Sequence, residues 1–272
     1  MKAISSLRAA LLGLSVLGMG LPAMADQLAD VQAAGKIVTS TDMFYAPFDM
    51  IVDGVYQGMT KDLFDGVTEQ LGVEPVYQDI PWTAQLPGLD AGRFDIVIAP
   101  VVVRADRAER YAYSIPIADA AVALIKRTGN DALTKPEDIK GLKVGAQQGT
   151  DQFMRTEEFA ESIGGAEVKE YGTMDEAYAD LAAGRLDAVA GSLPLLANAA
   201  KTRPEVFQLF DEPKFGPPTY YAWVLRKGED SASLVEAVND ALLTMTDDGR
   251  VEAIQKEWLG EYIELPRVVP LD

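Results

Sequence analysis

The residues best placed to do chemistry sit at junctions between strands and helices. Thr41-Asp42-Met43-Phe44-Tyr45-Ala46-Pro47-Phe48 follows an apolar strand, and Pro81-Trp82 opens a helix. Arg104 and Arg107 follow an apolar run that ends at Val102 or Val103. Gln148-Gly149-Thr150-Asp151 starts another helix, and Ser192 lies just past a further strand. Strand C-termini and helix N-termini are where ligands collect in α/β folds, because free backbone N–H groups point there. Each residue alone has an ordinary alternative. Tyr45 and Phe48 suit a core, Arg107 a surface ion pair, Thr150 a helix N-cap and Trp82 simple packing. Their joint placement carries the argument for a ligand site.

Composition narrows the chemistry. The chain has 272 residues, no Cys and no His. Disulfides, thiolate metal sites, cysteine nucleophiles and imidazole-dependent triads are therefore excluded. Carboxylate, Lys, Tyr or Ser chemistry remains, or binding without chemistry. Phosphate loops of the GxGxxG and GxxxxGK[ST] types are absent, as are a GxSxG elbow and EF-hand spacing, so no cofactor and no metal are expected. Asp62, Asp65 and Glu69 share one helix and read as a solvated face. The formal net charge is −18 and no basic patch stands out, which argues against nucleic acid as a partner.

Alternating strand and helix signals must position these junctions. Asp26 to Ala34 reads as a short helix stopped by Gly35, and Lys36 to Thr41 as a strand. Phe48 to Val52 and Val55 to Gly58 flank Asp53-Gly54, a hairpin signal. Leu63, Phe64, Val67 and Leu71 have helical spacing within Thr60 to Leu71. Glu74 to Asp79 is a strand, Thr83 to Ala91 a helix, and Phe94 to Val102 an apolar strand suited to burial on both faces. A polar stretch, Lys126 to Asp131, precedes a second block. Its strands are Leu142 to Ala146, Glu167 to Tyr171, Asp187 to Ala190 and Val206 to Phe210. Its helices are Asp151 to Ser162, Asp175 to Ala183 and Leu193 to Lys201. Pro213, Gly216, Pro217 and Pro218 mark a break before the strand Tyr220 to Arg226. Helices over Ser231 to Met245 and Arg250 to Trp258 close the chain, and 261–272 carries no periodicity. Alternating βα units predict an α/β fold with mostly parallel sheets.

Residues 1–25 read as an export signal. Lys2 and Arg8 precede an apolar stretch from Ala9 to Leu21, and Ala23-Met24-Ala25 fits signal-peptidase cleavage before Asp26. No Cys is present for lipid attachment. Removing Lys2 and Arg8, with no acid among the same residues, takes the net charge from −18 to −20. A soluble periplasmic protein is expected.

The whole pattern resembles the family 3 bacterial extracellular solute-binding proteins, the amino-acid-binding components of ABC importers. The resemblance runs from Gly35 to Gly260. It rests on Gly35-Lys36-Ile37-Val38, Thr41-Asp42, Tyr45-Ala46-Pro47-Phe48, Pro81-Trp82, Gly92-Arg93-Phe94-Asp95-Ile96, Arg107 and Ser114-Ile115-Pro116. It continues through Asp138 to Gly145, Gln148-Gly149-Thr150, Gly184 to Val189, Arg226-Lys227-Gly228 and Asp248-Gly249 to Gly260. The resemblance implies a two-lobed periplasmic-binding-protein fold of type II, with two crossover strands as hinge. Lobe one would comprise 26–120 and 221–272, and lobe two 121–220. A monomer would close on its ligand and present the closed form to an inner-membrane ABC permease.

Carried over by position, Asp42, Tyr45 and Trp82 would meet the ligand side chain. Arg107 would grip the ligand carboxylate through its planar fork, and Thr150 would contact the same group. The resemblance leaves two other readings open. One is an enzyme like secreted cyclohexadienyl dehydratases, which needs a protonated site acid. The other is an input domain for a chemosensory receptor.

Departures from the family pattern bear on the ligand. The usual lobe-two aspartate for an α-ammonium falls at Ser192, the usual hydroxyl beside the carboxylate at Val102, and the small residue two before it at Pro100. A buried ammonium without a carboxylate is costly. Asp151 is a candidate to compensate, and Asp42, Phe44, Tyr45 and Trp82 are candidates to house a cationic nitrogen. The expected ligand is a small carboxylate whose nitrogen is absent, substituted or displaced from the α-position. The alternative is an ordinary amino acid held through the Pro100 carbonyl and a water.

Overall fold

A computed structural model describes residues 26–271. The signal reading of 1–25 lies outside the described residues.

Two sheets repeat one plan. In the first, Lys36–Thr41 pairs in parallel with Glu74–Asp79 and with Ile96–Val102. Tyr220–Arg226 then joins Ile96–Val102 in antiparallel fashion and carries Tyr111–Tyr113 and Ala118–Asp119 beyond it. In the second, Lys143–Gln147 pairs in parallel with Glu167–Tyr171 and Ala188–Ser192. Val122–Arg127 is antiparallel to Ala188–Ser192, and Phe207–Lys214 completes the order. The chain passes from the first sheet to the second between Asp119 and Val122 and returns between Lys214 and Tyr220.

The apolar run expected to be buried on both faces is central. Ile96, Val97, Ile98 and Val101 are fully buried, and only Pro100 keeps partial exposure. It packs between two apolar clusters. One contains Leu63, Phe64, Val67, Trp223 and Val238, and the other Leu89, Phe94, Tyr111 and Val224. Helix Met59–Leu71 buries Leu63, Phe64 and Val67 on one face and ends at Gly72.

A third sheet, Phe44–Tyr45, Asp49–Val52 and Val55–Gln57, hangs on the end of Lys36–Thr41. Its turn holds Asp53 at φ 53° and Gly54 at φ 79°, both left-handed as a two-residue hairpin requires. Gly58 is needed for another reason: a Cβ there would lie 2.2 Å from the Phe48 carbonyl oxygen. Gly58 thus lets the hairpin return close enough to start the helix Met59–Leu71.

Two local readings are corrected. Lys126 and Arg127 belong to the strand Val122–Arg127, not to a polar connection. Lys126 is buried, with Nζ donating to the Leu133 carbonyl at 2.5 Å and lying 5.8 Å from the centre of the Phe210 ring. Phe207–Lys214 runs through Pro213, because an edge strand at a register shift tolerates a missing N–H. The tail is packed although it forms no helix or strand. Arg267 pairs twice with Asp247, and Val269 joins the Leu89–Phe94 cluster. Among the described residues no helix is long and apolar enough to cross a membrane.

Candidate functional site

Junctions from both sheets meet around a small cavity. Its lining includes Asp42, Tyr45, Trp82, Pro100, Val102, Arg107, Thr150 and Asp151, which the sequence singled out. Ser192 does not line it. Ser192 ends the strand Ala188–Ser192 and is wholly buried, with its hydroxyl unpartnered. Phe44 is corrected: strand alternation turns it away from Tyr45. It is half exposed and faces a separate groove beside Tyr178 and Arg203.

Asp42 follows the last residue of Lys36–Thr41. Its carboxylate accepts from the Phe44 amide at 3.2 Å and from Gln147 Nε2 at 3.4 Å. Burial pushes its pKa up, and those two donors only partly offset the effect. Among the described residues no cation lies within 4.0 Å of it, so the charge is desolvated without a counter-ion. A cation arriving in the cavity would relieve that cost.

Arg107 supplies the opposite charge. Its Nη1 donates to the Val102 carbonyl at 3.1 Å, and its guanidinium lies 6.0 Å from the centre of the Trp82 ring. Among the described residues it too has no ion-pair partner. A guanidinium fixed by a carbonyl and an aromatic face, and free of carboxylates, is prepared to receive one.

The opposite wall comes from the second sheet. Thr150 caps the helix Asp151–Ser162, accepting from the Phe153 amide at 3.1 Å and donating to the Gln147 carbonyl at 2.7 Å. Its hydroxyl proton is therefore already engaged. The first-turn amides remain the donors that this helix end offers an anion. Asp151 is not free to meet an ammonium. It pairs with Arg155 one turn on and with Arg104 at 3.5 Å, and only 5% of its side chain is exposed.

Sequence reasoning missed Ala99, Gln147, Gln152 and Tyr221 in the lining. Tyr45 and Tyr221 share a hydrogen bond of 2.8 Å between hydroxyls, and Gln152 Nε2 donates to Tyr221 at 2.9 Å. Burial raises the Tyr45 pKa to about 12, so both phenols stay neutral donors and acceptors near neutral pH. Gln147 precedes the segment that was singled out, a signal one residue away. Tyr221 comes from the returning strand and had no local signal.

The model of bacterial extracellular solute-binding proteins, family 3, matches residues 37–261. The lysine/arginine/ornithine-binding periplasmic protein of Escherichia coli (strain K12) is 30% identical over 261 residues, covering 93% of this chain and 97% of that protein. The L-cystine-binding protein TcyJ of the same strain is 29% identical over 255 residues, covering 90% and 91%. Among solved structures, an ancestral arginine-binding protein bound to arginine gives a TM-score of 0.76 at 28% identity, covering 82% of this chain and 98% of that one.

Proposed function

The chain belongs to the bacterial extracellular solute-binding proteins, family 3, and from that premise we propose that it captures a small amino-acid-like solute outside the cytoplasmic membrane for an ABC importer. The observation that carries the reading is the pair of uncompensated charges in one cavity, Arg107 and Asp42. A solute with a carboxylate and a cationic nitrogen satisfies both at once. The Trp82, Pro100 and Val102 surfaces take its apolar part.

In this reading residues 1–25 are removed on export and the protein works as a monomer. Lobe one is 26–120 with 221–272, and lobe two is 121–220. Closure brings Thr150 and the helix Asp151–Ser162 onto a solute already held by Arg107, and the closed form engages the permease. Ser192 lies off the cavity and Asp151 is neutralised by arginines, so the second wall offers no free carboxylate for an α-ammonium. The ligand nitrogen is accordingly substituted or displaced from the α-position and goes to Asp42. A dehydratase activity has no support from the cavity: Asp151 is ion-paired, which leaves Asp42 without a second carboxyl group to share acid–base work.

A thermal-shift screen tests the reading, with the standard amino acids, N-methyl amino acids, betaines and simple organic acids as probes. A ligand at 100 times its Kd stabilises by about 2.7 kcal/mol. A shift is expected with N-alkylated amino acids, betaines or carboxylates whose only amine lies away from the α-carbon. Micromolar binding of an unmodified amino acid would overturn the nitrogen assignment alone. No shift with any probe would overturn the receptor reading.

A further inference from the structure

Arg104 lies outside the cavity lining and meets Asp151 in a neighbouring groove with Met154 and Arg155, joining an element of the first sheet to one of the second. Arg104 lies in the turn between the strand Ile96–Val102 and the short helix Ala105–Ala108. Asp106 fixes its orientation through Nε at 2.9 Å and Nη2 at 2.7 Å. That leaves Nη1 pointing at the second wall, 3.5 Å from Asp151 Oδ1 and 3.5 Å from Met154 Sδ. Asp151 is the first residue of the helix Asp151–Ser162, where the helix dipole favours a negative charge. Arg155 pins it from within the same helix. The two partners are thus held by their own walls before they meet.

We propose that Arg104 and Asp151 form an ion-pair clasp beside the cavity, which favours the closed arrangement even in the ligand-free protein. The proposal rests on the two-lobe reading given above. Arg104 keeps Asp106, and Asp151 keeps Arg155, when the lobes part. Of the ion pairs these two residues make, closure therefore adds only the one between Arg104 and Asp151, with Met154 beside it. The gain is modest, about three- to fivefold in the ratio of closed to open protein, as for a partly exposed pair. The short turn that carries Arg104 also carries Arg107, three residues on. Seating a carboxylate on Arg107 and seating Arg104 on Asp151 therefore require the same turn to be in place.

The absence of native cysteine makes the test direct. Cysteines introduced at the exposed Ala91 and Ser162, one on each lobe, carry spin labels for pulsed dipolar distance measurement on the ligand-free chain from Asp26. Arg104→Gln and Asp151→Asn are each expected to lower the closed-to-open ratio about three- to fivefold, and the double variant no further. In wild type, 0.5 M NaCl produces the same opening, because screening weakens the pair. The salt response disappears in Arg104→Gln. Superimposable distance distributions in wild type and variants, or effects that add in the double variant, would overturn the clasp. If Asp151→Asn does not fold, Arg104→Gln and the salt response decide alone, since Arg104 is partly exposed and lies outside the core clusters. Ligand screening is independent of this experiment, so failure of the clasp leaves the receptor reading standing.

Discussion

The indole N–H of Trp82 donates to the Gly149 carbonyl at 3.0 Å, joining the first turn of the helix Trp82–Asp90 to the turn before Thr150. The same indole lies beneath the Arg107 guanidinium. One side chain therefore supports the group proposed to hold the carboxylate and also meets the opposite wall. Trp82→Phe keeps an aromatic face and loses the donor. A neutral hydrogen bond contributes about 0.5–1.5 kcal/mol, so affinity for the solute found in the screen should fall roughly three- to tenfold by calorimetry. Unchanged affinity would mean that the bond contributes nothing to capture.

Asp42 should govern the response to cationic groups. Asp42→Asn removes the charge and retains a similar shape. Binding of a solute with a cationic nitrogen is expected to weaken by about 2 kcal/mol or more, while a neutral analogue with the same carboxylate changes little. In wild type, binding should also weaken as pH falls through the raised Asp42 pKa, because the protonated acid no longer attracts a cation. Titrations at several pH values would show whether this dependence vanishes in Asp42→Asn, as required.

Asp49 predicts a pH dependence of folding rather than of binding. It is wholly buried, accepts from the Tyr56 hydroxyl at 2.6 Å, and leaves Oδ2 without a partner. Burial moves its pKa from 3.8 to about 7. The folded chain thus holds this proton up to about pH 7, whereas the unfolded chain releases it near 3.8. Asp49 therefore costs stability as pH rises between those values, and the cost levels off above them. Asp49→Asn should match wild type in Tm at pH 4 and exceed it at pH 8. An equal deficit at both pH values would contradict this assignment.

The tail after Gly260 should contribute to stability. Arg267 pairs with Asp247, the Ile263 amide donates to Gln255 Oε1 at 3.1 Å, and Val269 packs on the Leu89–Phe94 cluster. Ending the chain at Gly260 is expected to cost about 1–2 kcal/mol, or roughly 2–6 °C in Tm. An unchanged melting temperature would show that these contacts add nothing.

Local signals carried most of the fold. Lys36–Thr41, Glu74–Asp79, Glu167–Tyr171 and Tyr220–Arg226 begin and end where the sequence places them, since apolar runs and turn residues bound them. The strand Phe44–Tyr45 was not legible because two residues cannot set a period. That omission also hid the outward direction of Phe44. Lys126 read as polar because its carbonyl and aromatic partners lie elsewhere in the chain. The junction residues that line the cavity were legible from their places at element ends. Tyr221 and Gln152 were not, because they reach the cavity through contacts between residues far apart in sequence. The engagement of Asp151 by Arg104 depends on how the two walls meet, which no local pattern encodes.

The most direct test of the central claim is calorimetric titration of the wild type and Arg107→Ala with the tightest carboxylate from the screen. Arg107 makes one hydrogen bond to the Val102 carbonyl and lies at the cavity, so the variant should fold. Micromolar or tighter binding to wild type is expected, with a loss of about 2–5 kcal/mol in the variant, roughly 30- to 5,000-fold in Kd. Binding by Arg107→Ala within about threefold of wild type would contradict it.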